Sequence, residues 1–339
     1  MTENEHIIEL RGSARESLQQ ALSEMKRVIV GQEAMLQRLL ISLLAGGHVL
    51  LEGVPGLAKT LTVKTLASVL GGSYGRVQFT PDLVPADLVG TRIYRPDTGR
   101  FDTELGPVFA NFLLADEINR APAKVQSALL EVMQEQQVTI GGTTYAVPEP
   151  FIVMATQNPI ESEGTYPLPE AQVDRFLMKI LVDYPSTGEE AAVVGRSLGE
   201  QAVVRECLAL DDLRSYAAAA QSVFVDREVI GYAVALADAT RHPETYGLSK
   251  LKPLIEFGSS PRGPIGLVQS ARVLALLRGR GHVSPEDVTD LAIDVFRHRI
   301  VLSYDALSDG ITADDLLEEL LAAVAAPEED HVHRRARGA

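Results

Sequence analysis

Residues 14–46 carry apolar side chains at helical spacing on both sides of an interruption, Val28-Ile29-Val30-Gly31. This predicts two helices joined by a short apolar turn. Strand candidates follow at 48–51, 74–80, 111–115, 151–156 and 177–184. The runs at 111–115 and 151–156 are apolar without alternation, as in parallel strands covered on both faces. Helical segments intervene at 61–70, ended by Gly71-Gly72, and at 123–136. Residues 80–109 are rich in Pro, Gly and Asp, and they alternate on both sides of a turn at Pro96-Asp97-Thr98-Gly99. That pattern reads as an inserted β-hairpin at 91–103, with an irregular loop as the alternative. A second hairpin, 137–148, turns at Gly141-Gly142. Beyond Pro185-Ser186 no convincing strand is visible as far as Ala325, and 223–241, 263–280 and 284–300 are helical in period. The last of these opens with Ser284-Pro285-Glu286-Asp287: an N-cap serine, a first-turn proline and acids. The expected architecture is an α/β core over 1–185, an all-helical second domain over 186–325 and a disordered tail over 326–339.

Composition narrows the class. A length of 339 residues fits about two domains. The net charge, 31 − 46 = −15, argues against a nucleic-acid backbone binder, whose surface should be basic. The lone Cys207 excludes an intrachain disulfide framework. The charged start, MTENEHIIELRG, lacks the pattern of a signal peptide, and no run reaches the ~18 apolar residues of a membrane span. The expectation is a soluble cytoplasmic protein without membrane insertion.

The candidate chemistry is centred on HVLLEGVPGLAKT, His48–Thr60, which reads as strand, tight loop and helix. Matched to GxxxxGK[ST], it gives Gly53, then Val54, Pro55, Gly56 and Leu57, then Ala58 where the pattern has glycine, then Lys59 and Thr60, with Leu61 following. Such a loop presents backbone N–H groups and a helix N-terminus to phosphate. The lysine adds a charge and the threonine a hydroxyl for Mg²⁺. An ordinary strand-to-helix turn is the alternative for the loop taken alone. Asp116 and Glu117 end an apolar strand, where ligands of parallel sheets sit. Asp116 is suited to the Mg²⁺ shell and Glu117 to polarising water; in isolation the pair would read as a helix cap. Asn158, after another strand, is an uncharged amide able to orient water, or simply part of an Asn-Pro turn. Arg175 has the planar fork that meets phosphoryl oxygens, although a surface arginine is the default. Arg262 stands near a helix start, where its charge opposes the dipole, a weak hint of an anionic partner. His331 and His333 belong to a solvated tail rather than a metal site.

GVPGLAKT, FLLADEINR, ATQNP, EAQVDRF and GSSPRGP occur in this order over roughly Leu18–Ala325, and with them the chain resembles the MoxR family of AAA+ ATPases. Alanine at position 58 is usual in that family's loops. The resemblance implies a P-loop NTPase fold and the binding of ATP and Mg²⁺. It implies that Lys59 and Thr60 meet the phosphates and metal, Asp116 is the Walker B metal carboxylate and Glu117 the catalytic base. Asn158 then corresponds to sensor 1, Arg175 to a finger reaching a neighbouring subunit's nucleotide, and Arg262 to the sensor-2 arginine of the lid. Val28, Val30, Gly31 and Gln32 correspond to the adenine-side segment. The two hairpins look like the inserts that place the family near magnesium chelatase ATPase subunits. A finger acting in trans implies a homo-oligomeric ring, usually a hexamer. Relatives act as chaperone-like remodellers of protein clients, often with a von Willebrand factor A (VWA) domain partner, which here would be a separate chain. A nucleotide-gated scaffold with little turnover and a nucleic-acid motor remain as other readings.

Overall fold

The computed structural model describes residues 3–54, 57, 59–158, 164–199 and 202–328. Two compact units emerge: residues 20–175 with 180–213, and residues 1–19 with 176–179 and 214–339. Helix α1 (Glu3–Val28) begins the chain, and α2 (Glu33–Leu44) follows the predicted turn. Buried Leu36, Leu39, Leu40 and Leu43 of α2 repeat at the spacing that puts them on one face.

The expected five-stranded parallel sheet is present. Its strands are β1 (Val49–Glu52), β2 (Tyr74–Gln78), β5 (Phe112–Asp116), β8 (Ile152–Gln157) and β9 (Met178–Leu181), in the order β2-β5-β8-β1-β9. Helix α3 (Lys59–Val69) lies between β1 and β2 in sequence. Strands β1, β5 and β8 are buried through every residue but the last, because helices cover both faces of such a sheet. In each, the residue that escapes burial is the last one, at the carboxyl end where polar chemistry begins.

Two hairpins interrupt the sheet connections. After a short helix α4 (Pro85–Val89), β3 (Gly90–Arg95) pairs with β4 (Arg100–Leu105). After α5 (Ala123–Glu135), β6 (Gln137–Ile140) pairs with β7 (Thr143–Ala146). A single turn, α6 (Glu170–Val173), precedes β9, and α7 (Thr187–Ser197) follows it under a capping box from Ser186.

After α8 (Leu210–Gln221), the second unit is mainly helical: α9 (Arg227–Arg241), α10 (Arg262–Leu277), α11 (Pro285–Phe296), α12 (Tyr304–Ser308) and α13 (Ala313–Ala323). The Ser284 hydroxyl accepts the Asp287 N–H and the Asp287 carboxylate accepts the Ser284 N–H, so the predicted start of α11 is a closed capping box. One expectation fails here. The unit is not all-helical, because β10 (Ile255–Phe257) pairs antiparallel with β11 (Val301–Leu302). Strands of three and two residues are too short to show the period of two by which a strand is read from sequence. No helix among the described residues is long and apolar enough to cross a membrane. Residues 329–339, most of the expected tail, lie outside the described residues.

Candidate active site

Strand β1 hands the chain to Gly53, which passes so close to Val182 that a Cβ would sit 2.3 Å from its carbonyl oxygen. Only glycine fits there. Pro55, Gly56 and Ala58 of the predicted loop lie outside the described residues; Val54 and Leu57 are partly buried. Lys59 is the first residue of α3, so the helix N-terminus follows directly on the loop. The Lys59 ammonium donates to the Gly53 carbonyl, and burial lowers its pKa against the opposing pull of Asp116, Glu52 and Glu117.

The acids come from the neighbouring strand. The parallel register Ala115↔Ala155 sets Asp116 beside Thr156. Thr156, 2% exposed, donates its hydroxyl to Asp116 Oδ1 at 2.7 Å and accepts the Glu117 N–H at 2.8 Å. Asp116 Oδ2 accepts from Arg76 Nη2 at 2.8 Å. Glu117 leaves the strand in the left-handed region, φ 56 and ψ 51. For a residue with a Cβ this costs roughly 1–2 kcal/mol, and such strain gathers at functional sites. The Glu117 carboxylate accepts from Gln78 Nε2 at 2.8 Å and lies 3.1 Å from Arg120 Nε.

Lys59, Thr60, Asp116, Glu117 and Asn158 line one cavity of about 370 Å³, together with Gly53, Leu57 and Leu61. Five side chains separated by a hundred residues of sequence thus meet at one sheet edge. Among the groups lining it, the Thr60 hydroxyl and the Asp116 carboxylate are hard oxygen donors of the kind Mg²⁺ takes. A lysine beside them at a helix N-terminus suits phosphate. ATP with Mg²⁺ therefore fits the donor set.

Val28 and Val30 line a second cavity of about 530 Å³ with Lys64, Thr65 and Arg196, and Leu61 lines both. Gly31 and Gln32 make the turn, with φ of 67 and 57, and the Gln32 amide donates to the Asp183 carbonyl at 2.9 Å. Arg175 is not among the residues lining either cavity. Its Nη1 donates to the Leu130 carbonyl at 3.2 Å, in a polar groove with Glu131 and Gln172. Arg262 is the exposed first residue of α10 and belongs to the other unit.

Comparison with known proteins agrees with this fold. Residues 48–178 match the model of the ATPase family associated with various cellular activities (AAA), and 249–320 match that of the AAA lid domain. The chain is 55% identical over 312 residues to Chaperone MoxR1 of Mycobacterium tuberculosis, an alignment covering 92% of this chain and 83% of that one. The chain belongs to the MoxR family of AAA+ ATPases. Protein MoxR of Paracoccus denitrificans is 38% identical over 293 residues, covering 81% of this chain and 86% of its own. The crystal structure of a Cytophaga hutchinsonii protein, 45% identical, superposes with a TM-score of 0.92 over 97% of this chain and all of its own. Membership in the AAA+ ATPases brings nucleotide binding and, at the level of the class, ATP hydrolysis.

Four residues of this MoxR-family site are absent from the sequence-based set. Thr156 ties Asp116 to Glu117, Gln78 and Arg120 engage Glu117, and Arg76 engages Asp116. A signal existed for three of them. Thr156 is the polar end of an otherwise apolar run, and Arg76 and Gln78 alternate on one face of β2. Arg120 stands in a 3₁₀ turn, where no periodicity marks it.

Proposed function

We propose that the chain is a Mg²⁺-dependent ATPase, converting ATP to ADP and phosphate, that works as a homo-oligomeric ring, a hexamer, to remodel protein clients in the cytoplasm. The convergence of Lys59, Thr60, Asp116, Glu117 and Asn158 on one cavity carries this reading. Lys59 draws the β- and γ-phosphates, while Thr60 and Asp116 would hold Mg²⁺, which supplies neutralisation of the phosphate charge. Glu117 takes the proton of the attacking water and Asn158 orients that water toward the γ-phosphate. Val28 and Val30 supply apolar contact for the purine in the second cavity, with Leu61 shared between base and phosphate sides. Arg175 reaches the nucleotide of an adjacent subunit, and Arg262 senses nucleotide from the lid. The client-remodelling part is supported by the mycobacterial relative, which is named a chaperone. A separate VWA-domain chain is the proposed partner, in complex maturation or in insertion of a metal or cofactor.

The test is Glu117→Gln. It should bind ATP as tightly as the wild type and lose steady-state turnover by on the order of a hundredfold or more, the usual worth of a general base. Hydrolysis at the wild-type rate would remove Glu117 from the role. The same variant, loaded with ATP, should retain a client that co-purifies.

A second reading, a nucleotide-gated scaffold that turns over little, is favoured by one observation: the Glu117 carboxylate is engaged by the Gln78 amide and by Arg120. Both partners occupy the carboxylate oxygen that a base would offer to water. Single-turnover hydrolysis by the assembled protein decides between them, since a scaffold would hold ATP through many minutes without cleaving it.

A further inference from the structure

Within the second unit, three consecutive side chains act on one short stretch of backbone. The 3₁₀ turn Arg297–Arg299 follows α11 directly. Arg297 Nη1 donates to the Lys179 carbonyl at 2.7 Å while Nε and Nη2 grip Asp314 bidentately at 2.8 and 2.7 Å. The His298 imidazole lies 3.0 Å from the Phe176 carbonyl through Nε2. Arg299, 7% exposed, donates to the Phe176 carbonyl at 2.6 Å, to the Leu177 carbonyl at 3.1 Å and to the Val295 carbonyl of the preceding helix α11. Three of the four carbonyls from Phe176 to Lys179 are thus taken by donors from one turn.

Arg297 is fixed by two carboxylates, Asp314 and Asp294, the latter 2.9 Å from Nη1. A carbonyl oxygen only accepts, so His298 carries its proton on Nε2, and burial with the neighbouring Arg299 charge keeps the ring neutral. Close packing accompanies the polar grip: a Cβ on Gly266 of α10 would stand 2.8 Å from the Leu177 side chain. Met178 and Phe176 are fully buried. Two arginines and a histidine thus hold the main chain of four residues. Charged donors on carbonyls also fix direction, since a guanidinium fork accepts little angular error.

The residue immediately before this stretch is Arg175. We propose that the Arg297-His298-Arg299 turn is a positioning element for Arg175, fixing the direction in which the chain leaves it. This rests on the reading of Arg175 as the residue that meets an adjacent nucleotide. A side chain that must place a guanidinium on a transferring phosphoryl group needs its Cα fixed to a fraction of an ångström. A misplacement of about 1 Å can cost a hundredfold in rate. The three side chains would act through Arg175 and touch no nucleotide themselves.

The experiment is a double-mutant cycle on the assembled protein, with kcat, KM for ATP and nucleotide Kd as readouts. His298→Leu removes one donor, and we expect kcat to fall roughly tenfold. KM and Kd should stay within about twofold, because binding by Lys59 and Thr60 is untouched. In an Arg175→Ala background the same substitution should change kcat by less than twofold, since its route is already cut. His298→Gln, whose side-chain amide can still donate, should keep most of the activity. If His298→Leu does not fold, Arg297→Lys serves instead, as it keeps the charge and loses the fork. Equal losses of kcat from the turn substitution with and without Arg175 would overturn the positioning role while leaving Arg175 in place. An Arg175→Ala protein with wild-type kcat would overturn the reading of Arg175 itself. A fall in nucleotide affinity matching the fall in kcat would show that the turn merely stabilises the fold.

Discussion

At the scale of single residues the site is held together by a threonine. Thr156 spends its hydroxyl proton on Asp116 and its lone pair on the Glu117 N–H, so one buried oxygen sets the spacing of the two acids. It also stabilises Glu117 in its left-handed backbone. Thr156→Val keeps the shape and removes both bonds. It leaves an N–H without its acceptor, which costs about 1–3 kcal/mol, and it frees the Asp116 carboxylate to turn. The expected result is a lower thermal midpoint together with a kcat reduced by on the order of tenfold, read from unfolding curves and steady-state ATP hydrolysis. A variant with the lower midpoint but full kcat would mean that strand register alone holds the acids. The groups that line the cavity could be read from sequence because phosphate chemistry requires unusual residues at strand ends: Lys59-Thr60, Asp116-Glu117, Asn158. The residues that hold them could not. A threonine or glutamine is common in strands, and only the β2-β5-β8 adjacency turns Gln78 and Thr156 into partners of Glu117.

At the scale of elements, His48 joins three of them. It stands just before β1, accepts the Val153 N–H of β8 on Nδ1 at 3.0 Å and faces the Met133 carbonyl of α5 through Nε2 at 3.1 Å. Its ring meets Phe151 edge-on, the centroids 5.6 Å apart. Nδ1 must therefore be the bare nitrogen, and a second proton there would break the bond to β8. Burial lowers the pKa to about 4, against about 6.5 in an unfolded chain. The folded-state value is the lower one, so the unfolded chain binds the extra proton first. The neutral ring contributes fully above pH 6.5, and that contribution is lost as pH falls from 6.5 toward 4. Between pH 7 and pH 5 the loss is about 2 kcal/mol. Denaturant unfolding of wild type and His48→Gln at both pH values should show that much less pH dependence in the variant. Equal slopes would place the acid sensitivity elsewhere, buried His298 being the next group that burial keeps neutral. Elements of this kind were legible because four of the five strands of the sheet end in a polar residue and each hairpin carries Gly or Pro at its turn. The β10–β11 pair was not, since five residues cannot establish a period and the pairing is set by what lies 44 residues apart, Phe257 and Val301.

At the scale of the whole molecule, no arginine is among the described residues lining the cavity that gathers Lys59, Thr60, Asp116, Glu117 and Asn158, and Arg175, a candidate for the arginine that phosphoryl transfer calls for, is held in a different groove against Leu130. A single sequence could suggest the residue but not its destination, because a head-to-tail interface joins two different patches of one chain and leaves no periodic mark on either. If Arg175 serves the neighbour, each active site is shared by two subunits, and two inactive proteins can repair each other. Glu117→Gln supplies an intact arginine and no base; Arg175→Ala supplies an intact base and no arginine. In a mixture that exchanges subunits, some interfaces pair the good base with the good arginine. For random assembly about a quarter of the interfaces in a one-to-one mixture are of that kind, so turnover should rise from near zero to roughly a quarter of the wild-type value, provided interfaces act independently. A mixture as inactive as its components, with exchange verified by labelled subunits, would put Arg175 and Glu117 to work in the same chain or not at all. Recovery would also fix the direction of the ring, because the subunit bearing Glu117 must receive the Arg175 face of the next.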